Sequence, residues 1–99
     1  MTSFNDFVLR DLRLCLLRAL AEQPGYTANE VLLQKVAAGY GMSRTREVIR
    51  TELNFLADVS AITVVNQGSY AIATLHRRGQ DHVDGLIEIA GVKKPSPKE

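Results

Sequence analysis

Ninety-nine residues, 45% of them hydrophobic and 23% charged, suffice for one small core and require no second domain. A formal net charge of +1 is too small to imply a polyanionic partner, so a nucleic-acid role must rest on where the charges sit. The single cysteine, Cys15, excludes an internal disulfide, and no stretch is long and apolar enough for a membrane span or a signal peptide, so the reducing cytoplasm is expected.

The first helical pattern runs from about Asn5 to Glu22, with Ser3 and Asp6 as a variant capping box and Gln23-Pro24-Gly25 as its stop. On a helical wheel Val8, Leu9, Leu12, Cys15, Leu16, Ala19 and Leu20 form one apolar stripe, and Phe7, Leu14, Leu17 and Ala21 form a second. The second stripe calls for a cover. Either a C-terminal helix lies over it, or it is the seam of a homodimer through Phe7, Leu14, Leu17 and Ala21. Thr27 and Glu30 have the spacing of a capping box for a second helix carrying Leu32, Leu33, Val36 and Tyr40, which Gly39 or Gly41 ends. Ser43 is the expected cap of a third helix reaching Asp58, with Val48, Ile49, Leu53, Leu56 and Val59 on its buried side.

Beyond Asp58 the pattern becomes β-rich. Ile62-Thr63-Val64-Val65 and Tyr70-Ala71-Ile72-Ala73 read as a hairpin around Asn66-Gln67-Gly68-Ser69, where Gly68 can take positive φ. Thr74 is the expected cap of a fourth helix over roughly Leu75 to Ile89, weakened by Gly79 and Gly85. Residues 91–99, with Pro95 and Pro97, read as an extended or disordered tail after a domain spanning 1–90. The order predicts an α+β, mainly α fold: a winged helix-turn-helix with a short two-stranded wing and a C-terminal helix.

A helix that reads the DNA major groove needs a polar outer face able to reach base edges. On the third helix Glu47, Arg50, Thr51 and Asn54 project away from the apolar stripe, Arg44 and Arg46 flank them, and Arg77 and Arg78 could extend the surface. Over Ser43 to Asp58, however, the three arginines are cancelled by Glu47, Glu52 and Asp58. Glu52 falls by phase among the buried residues and needs a cationic partner, for which Arg13 or Arg18 are available. His76 and His82 lack the spacing that brings side chains onto one helical face, so no metal site is expected even with Asp81 and Asp84 nearby. No nucleophile–base set or phosphate-binding glycine loop is present, and neither an enzymatic activity nor a cofactor is expected.

Ser43 to Leu53, Ala73-Thr74-Leu75-His76-Arg77-Arg78-Gly79, Asp84-Gly85 and the ending Gly91-Val92-Lys93-Lys94-Pro95-Ser96-Pro97 together resemble the small winged-helix proteins of Mu-like phages and prophages, often labelled ArsR-type regulators. The resemblance covers most of the chain and implies a phage or prophage origin and a DNA-binding regulator. It does not carry over metal-responsive repression, because metal sensors of that type use paired thiolate or His/carboxylate ligands and this chain has one cysteine. A phage accessory protein that uses the same fold to bind another protein is the alternative.

Overall fold

The computed structural model describes residues 3–96, and its first helix begins where the sequence places a cap. The Ser3 hydroxyl accepts from the Asp6 N–H at 3.1 Å and the Asp6 carboxylate accepts from the Ser3 N–H at 3.3 Å, opening α1 (Phe4–Ala21). A single 3-10 turn, Pro24–Tyr26, with Gly25 at φ +66°, redirects the chain. It enters a short strand that the periodicity did not reveal, β1 (Thr27–Asn29). Thr27 therefore caps no helix. Its hydroxyl meets that of Thr74 at 2.9 Å, while Asn29 caps α2 (Glu30–Gly39) by accepting from the Leu32 N–H at 2.8 Å.

The third helix starts later than Ser43. Gln34 Nε2 donates to the Arg44 carbonyl at 3.0 Å and holds that loop against α2, so capping passes to Thr45, whose hydroxyl accepts from the Val48 N–H ahead of α3 (Arg46–Asp58). Strands β2 (Ile62–Gln67) and β3 (Tyr70–Leu75) form the expected hairpin. Gln67 pairs with Tyr70, leaving Gly68 and Ser69 as the two-residue loop, with Gly68 at φ +62°. The sheet has three strands rather than two, in the order β1-β3-β2, and is antiparallel throughout. Because Thr74 and Leu75 stay paired in β3, the last helix is only α4 (Arg77–Val83). Gly79 in that helix permits a close approach: a Cβ there would lie 2.4 Å from the Ala61 carbonyl oxygen.

Among the described residues the fold is thus a small, mainly helical α+β domain of four α-helices and one sheet. Its core joins Leu12, Leu16, Leu17 and Leu20 of α1 to Leu33 and Ala37 of α2, Ile49, Leu53 and Leu56 of α3, and Ala73 and Leu75 of β3. The first stripe of α1 and the centre of the second are covered from within the chain. Leu14 and Leu17 are 3% and 0% exposed, which removes the centre of the expected dimer seam. Phe7 remains 61% exposed and Ala21 partly so. Cys15 lies at the half-buried margin of the core, where burial, and then Asp11, raise its thiol pKa against the opposing effect of Arg18.

The C-terminal segment is what covers part of α1, and it extends past the expected boundary at residue 90. Ile89 and Val92 are buried in the core. The Lys93 N–H donates to the Arg10 carbonyl at 3.2 Å, and His82, itself fully buried, bonds the Lys93 carbonyl through Nε2 at 2.8 Å. His82 Nδ1 accepts from the Ile89 N–H at 3.1 Å, which makes the ring the Nε2–H tautomer. The rest of the expected tail, Pro97 to Glu99, lies outside the described residues.

The buried carboxylate of Glu52 takes one of its two candidate partners: Arg13 Nε donates to Oε1 at 2.6 Å. The same guanidinium lies 3.7 Å from the Phe55 ring centroid and donates from Nη1 to the Gly91 carbonyl at 2.8 Å. Truncation after Ala90 should therefore remove a buried valine and several hydrogen bonds. At about 1.5 kcal/mol for the valine and about 1 kcal/mol per bond, the loss is roughly 3–5 kcal/mol. By calorimetry Tm should fall by more than about 10 °C, whereas truncation after Lys94 should shift it by a few degrees at most.

Candidate functional site

The register of the sheet creates the site. Asn29 lies opposite Ile72, so the next pair would join residue 30 to Ala71, but the chain turns into α2 at that point and leaves the Ala71 N–H beyond the end of β1. Glu30 answers with its side chain. Its carboxylate, 0% exposed, accepts from the Ala71 N–H at 2.9 Å. It does not reach back to the helix cap as its spacing suggested.

A buried carboxylate needs charge compensation, and α3 supplies it from one face. Arg50 forks onto Glu30, Nε to Oε2 at 2.9 Å and Nη2 to Oε1 at 2.5 Å, and Arg46 adds a third bond from Nη2 to Oε1 at 3.0 Å. Both Nη2 groups also donate to the Ser69 carbonyl in the hairpin loop, at 2.5 Å from Arg46 and 3.0 Å from Arg50. The Arg46 guanidinium lies 4.7 Å from the Tyr70 ring centroid. One carboxylate and two arginines thus join the start of α2, the first turns of α3 and the tip of the hairpin. The Arg50 fork, with the Ala71 and Arg46 hydrogen bonds, outweighs burial and holds the Glu30 carboxyl at about 2 instead of 4.5. Reciprocally, Glu30 raises the Arg50 pKa.

The remaining expected site residues are arranged around this cluster unevenly. Glu47, Thr51 and Asn54 are exposed on the outer face of α3 together with Arg50, although the Thr51 hydroxyl is turned onto the Glu47 carbonyl at 3.0 Å. Arg44 is partly buried and bends back to the Ser43 carbonyl at 2.8 Å. Arg77 and Arg78 are exposed at the far end: Arg78 Nε donates to the Val59 carbonyl, next to the C-terminus of α3, about 20 Å of helix away from Arg46. The structure therefore concentrates Arg46 and Arg50 at one end of α3 and leaves Arg77 and Arg78 at the other. Glu30 is the residue that sequence reasoning missed. The available signal was Arg46 and Arg50 themselves, since like charges four residues apart repel unless an anion lies between them.

The histidines do not share a site. His76 contacts the Thr63 hydroxyl on the surface, and His82 is enclosed. Among the described residues no cluster of three or more His, Cys, Asp or Glu could hold a metal ion, and no helix is long and apolar enough to cross a membrane.

The chain is 38% identical over 94 residues to the uncharacterized protein gp26 of Escherichia phage Mu, covering 95% of this chain and 97% of that protein. It is also 32% identical over 77 residues to an uncharacterized protein of Haemophilus influenzae, covering 77% of this chain and 74% of that protein. The chain belongs to the family of the phage Mu protein gp26. No family model and no solved structure matches it.

The depressed Glu30 pKa sets a direction for acid stability. The carboxylate interactions contribute fully above the ordinary value of 4.5 and are lost as the pH falls toward about 2. Urea midpoints measured across that window should drop in the wild type. Glu30→Gln should flatten the part of the drop that belongs to this residue.

Proposed function

We propose that the chain is a phage-derived winged helix that binds double-stranded DNA as a regulator, in the host cytoplasm, with α3 in the major groove and the β2–β3 loop beside it. The element order α1-β1-α2-α3-β2-β3 supports the winged-helix reading. The observation that carries the DNA reading is the bonding of both α3 arginines to the Ser69 carbonyl, which holds the hairpin tip at the end of the helix whose outer face exposes Glu47, Arg50, Thr51 and Asn54. Fixing a reading helix and a wing relative to each other in advance lowers the ordering cost of addressing a duplex with both. The membership in the phage Mu gp26 family supports a phage origin.

In this reading Asn54 addresses a base edge, for which the amide suits adenine N6 and N7. The cations near the wing contact the backbone. Because Leu14 and Leu17 are buried in the chain's own core, the reading requires no dimer through α1. The competing reading, an accessory protein that binds another protein, is favoured by the exposed Phe4 and Phe7 at the start of α1.

Selection of bound duplexes from phage and host DNA, followed by titration at two salt concentrations, tests the proposal. Wild type should prefer selected over scrambled duplex and lose affinity steeply with salt. Asn54→Ala should lose about 1–3 kcal/mol on the selected duplex and little on the scrambled one. Equal and weak binding of all duplexes would leave the protein-binding alternative.

A further inference from the structure

The Glu30 cluster contains two guanidinium charges and one buried carboxylate where α3 meets the hairpin loop, and the exposed carboxylate of Glu47 acts on Arg50 from outside it. The inward edges of both arginines are occupied. Arg50 uses Nε and Nη2 on Glu30, Arg46 uses Nη2, and both Nη2 groups share the Ser69 carbonyl. Among the described residues no protein acceptor takes Nη1 of either arginine, and Arg46 Nε is buried without a partner. The side chains are nevertheless 39% and 47% exposed, so the cluster is open to solvent on its outer side although Arg46 Nε is not.

We infer that Arg46 and Arg50 form a clamp for a single phosphodiester group of duplex DNA, and that Glu30 is the positioning residue that fixes both guanidiniums for it. The inference rests on the DNA-binding reading of the same face. A phosphodiester carries one negative charge and two free oxygens, which suit the Nη1 donors that the two guanidiniums leave without a protein acceptor. A side chain locked by a buried carboxylate loses little rotamer freedom on binding, unlike a free surface arginine. The arrangement also leaves Arg50 no bidentate edge for guanine O6 and N7 in this conformation: Nη2, common to both edges of the guanidinium, is spent on Glu30 and the Ser69 carbonyl. Sequence preference then falls to Asn54 and its neighbours.

The test uses the sign of a charge change. Glu30→Gln adds one positive charge at the site, so simple attraction between cation and polyanion would tighten binding. A clamp that depends on Glu30 predicts the opposite, affinity weaker by about tenfold and a salt slope smaller by about one. Arg50→Lys keeps the charge, removes the fork, and should weaken binding by a similar factor. Fluorescence anisotropy of a labelled duplex over a range of KCl reads both, while arginine Nε–H resonances of the wild type are followed with duplex and with inorganic phosphate. Weaker binding by both variants, with Arg46 and Arg50 resonances moved by duplex, supports the clamp. Wild-type binding with Glu30→Gln equal or tighter overturns the clamp and leaves DNA binding standing. If Glu30→Gln fails to fold, Arg50→Lys and the resonances decide: unchanged affinity and unmoved signals overturn it. If the wild type binds no duplex, the DNA reading falls. Phosphate-induced shifts would then retain the anion seat with free phosphate as its source, and their absence would overturn that too.

Discussion

A carboxylate placed where a strand ends and a helix begins organises this protein. Glu30 completes the sheet by accepting the Ala71 N–H that β1 leaves unpaired, and in the same position neutralises one of two arginines projecting from α3. Without it, the Ala71 N–H would be a buried unpaired donor and Arg46 and Arg50 would repel across one helical turn. With it, the hairpin tip and α3 share an acceptor, the Ser69 carbonyl, and are held in one geometry. The proposed DNA-binding face depends on that geometry more than on net charge, which is only +1 over the whole chain.

A second buried ion pair acts at another corner of the fold. Arg13 and Glu52 join α1 to α3, and Arg13 also holds the Gly91 carbonyl and stacks on Phe55. Gly91 has φ +87°, and a Cβ there would come within 2.6 Å of the Phe55 ring, so a glycine is required for the chain to pass. The two pairs differ in their surroundings. Arg13–Glu52 is nearly enclosed, and removing one partner of such a pair typically costs on the order of 3–5 kcal/mol because a charge is left buried. Arg46 and Arg50 keep solvent-facing edges, which is why that cluster can meet a ligand and the other cannot.

Much of the architecture was legible in the sequence. The Ser3–Asp6 box, the apolar spacing of the first three helices and the positive-φ glycine of the hairpin are local signals, and local interactions decide those features. Glu52 was legible for a related reason: a carboxylate in phase with leucines demands a cation, and Arg13 provides it. Other features depend on contacts between distant segments. A three-residue strand shows no periodicity, so residues 27–29 read as the approach to a helix with Thr27 as its cap. Glu30 shared that misreading, because its spacing from Thr27 fits a capping box and its true partners lie 16, 20 and 41 residues away. Docking of residues 91–94 was hidden by their polar, proline-rich context, although Val92 alone supplies an apolar anchor. At the candidate site, the exposed positions of α3 were readable from helical phase, but the inward commitment of Arg46 and Arg50 was not.

Hydrogen exchange at the Ala71 amide tests most directly whether Glu30 completes the sheet and holds the hairpin to α3. This N–H has no backbone acceptor, and its protection depends on the Glu30 carboxylate. Glu30 pairing predicts that at neutral pH Ala71 exchanges as slowly as the amides of β3 that are paired to β1 and β2, in step with global unfolding. Exchange as fast as that of the loop amides of Gly68 and Ser69 would contradict it, since the hairpin tip would then open without breaking the fold.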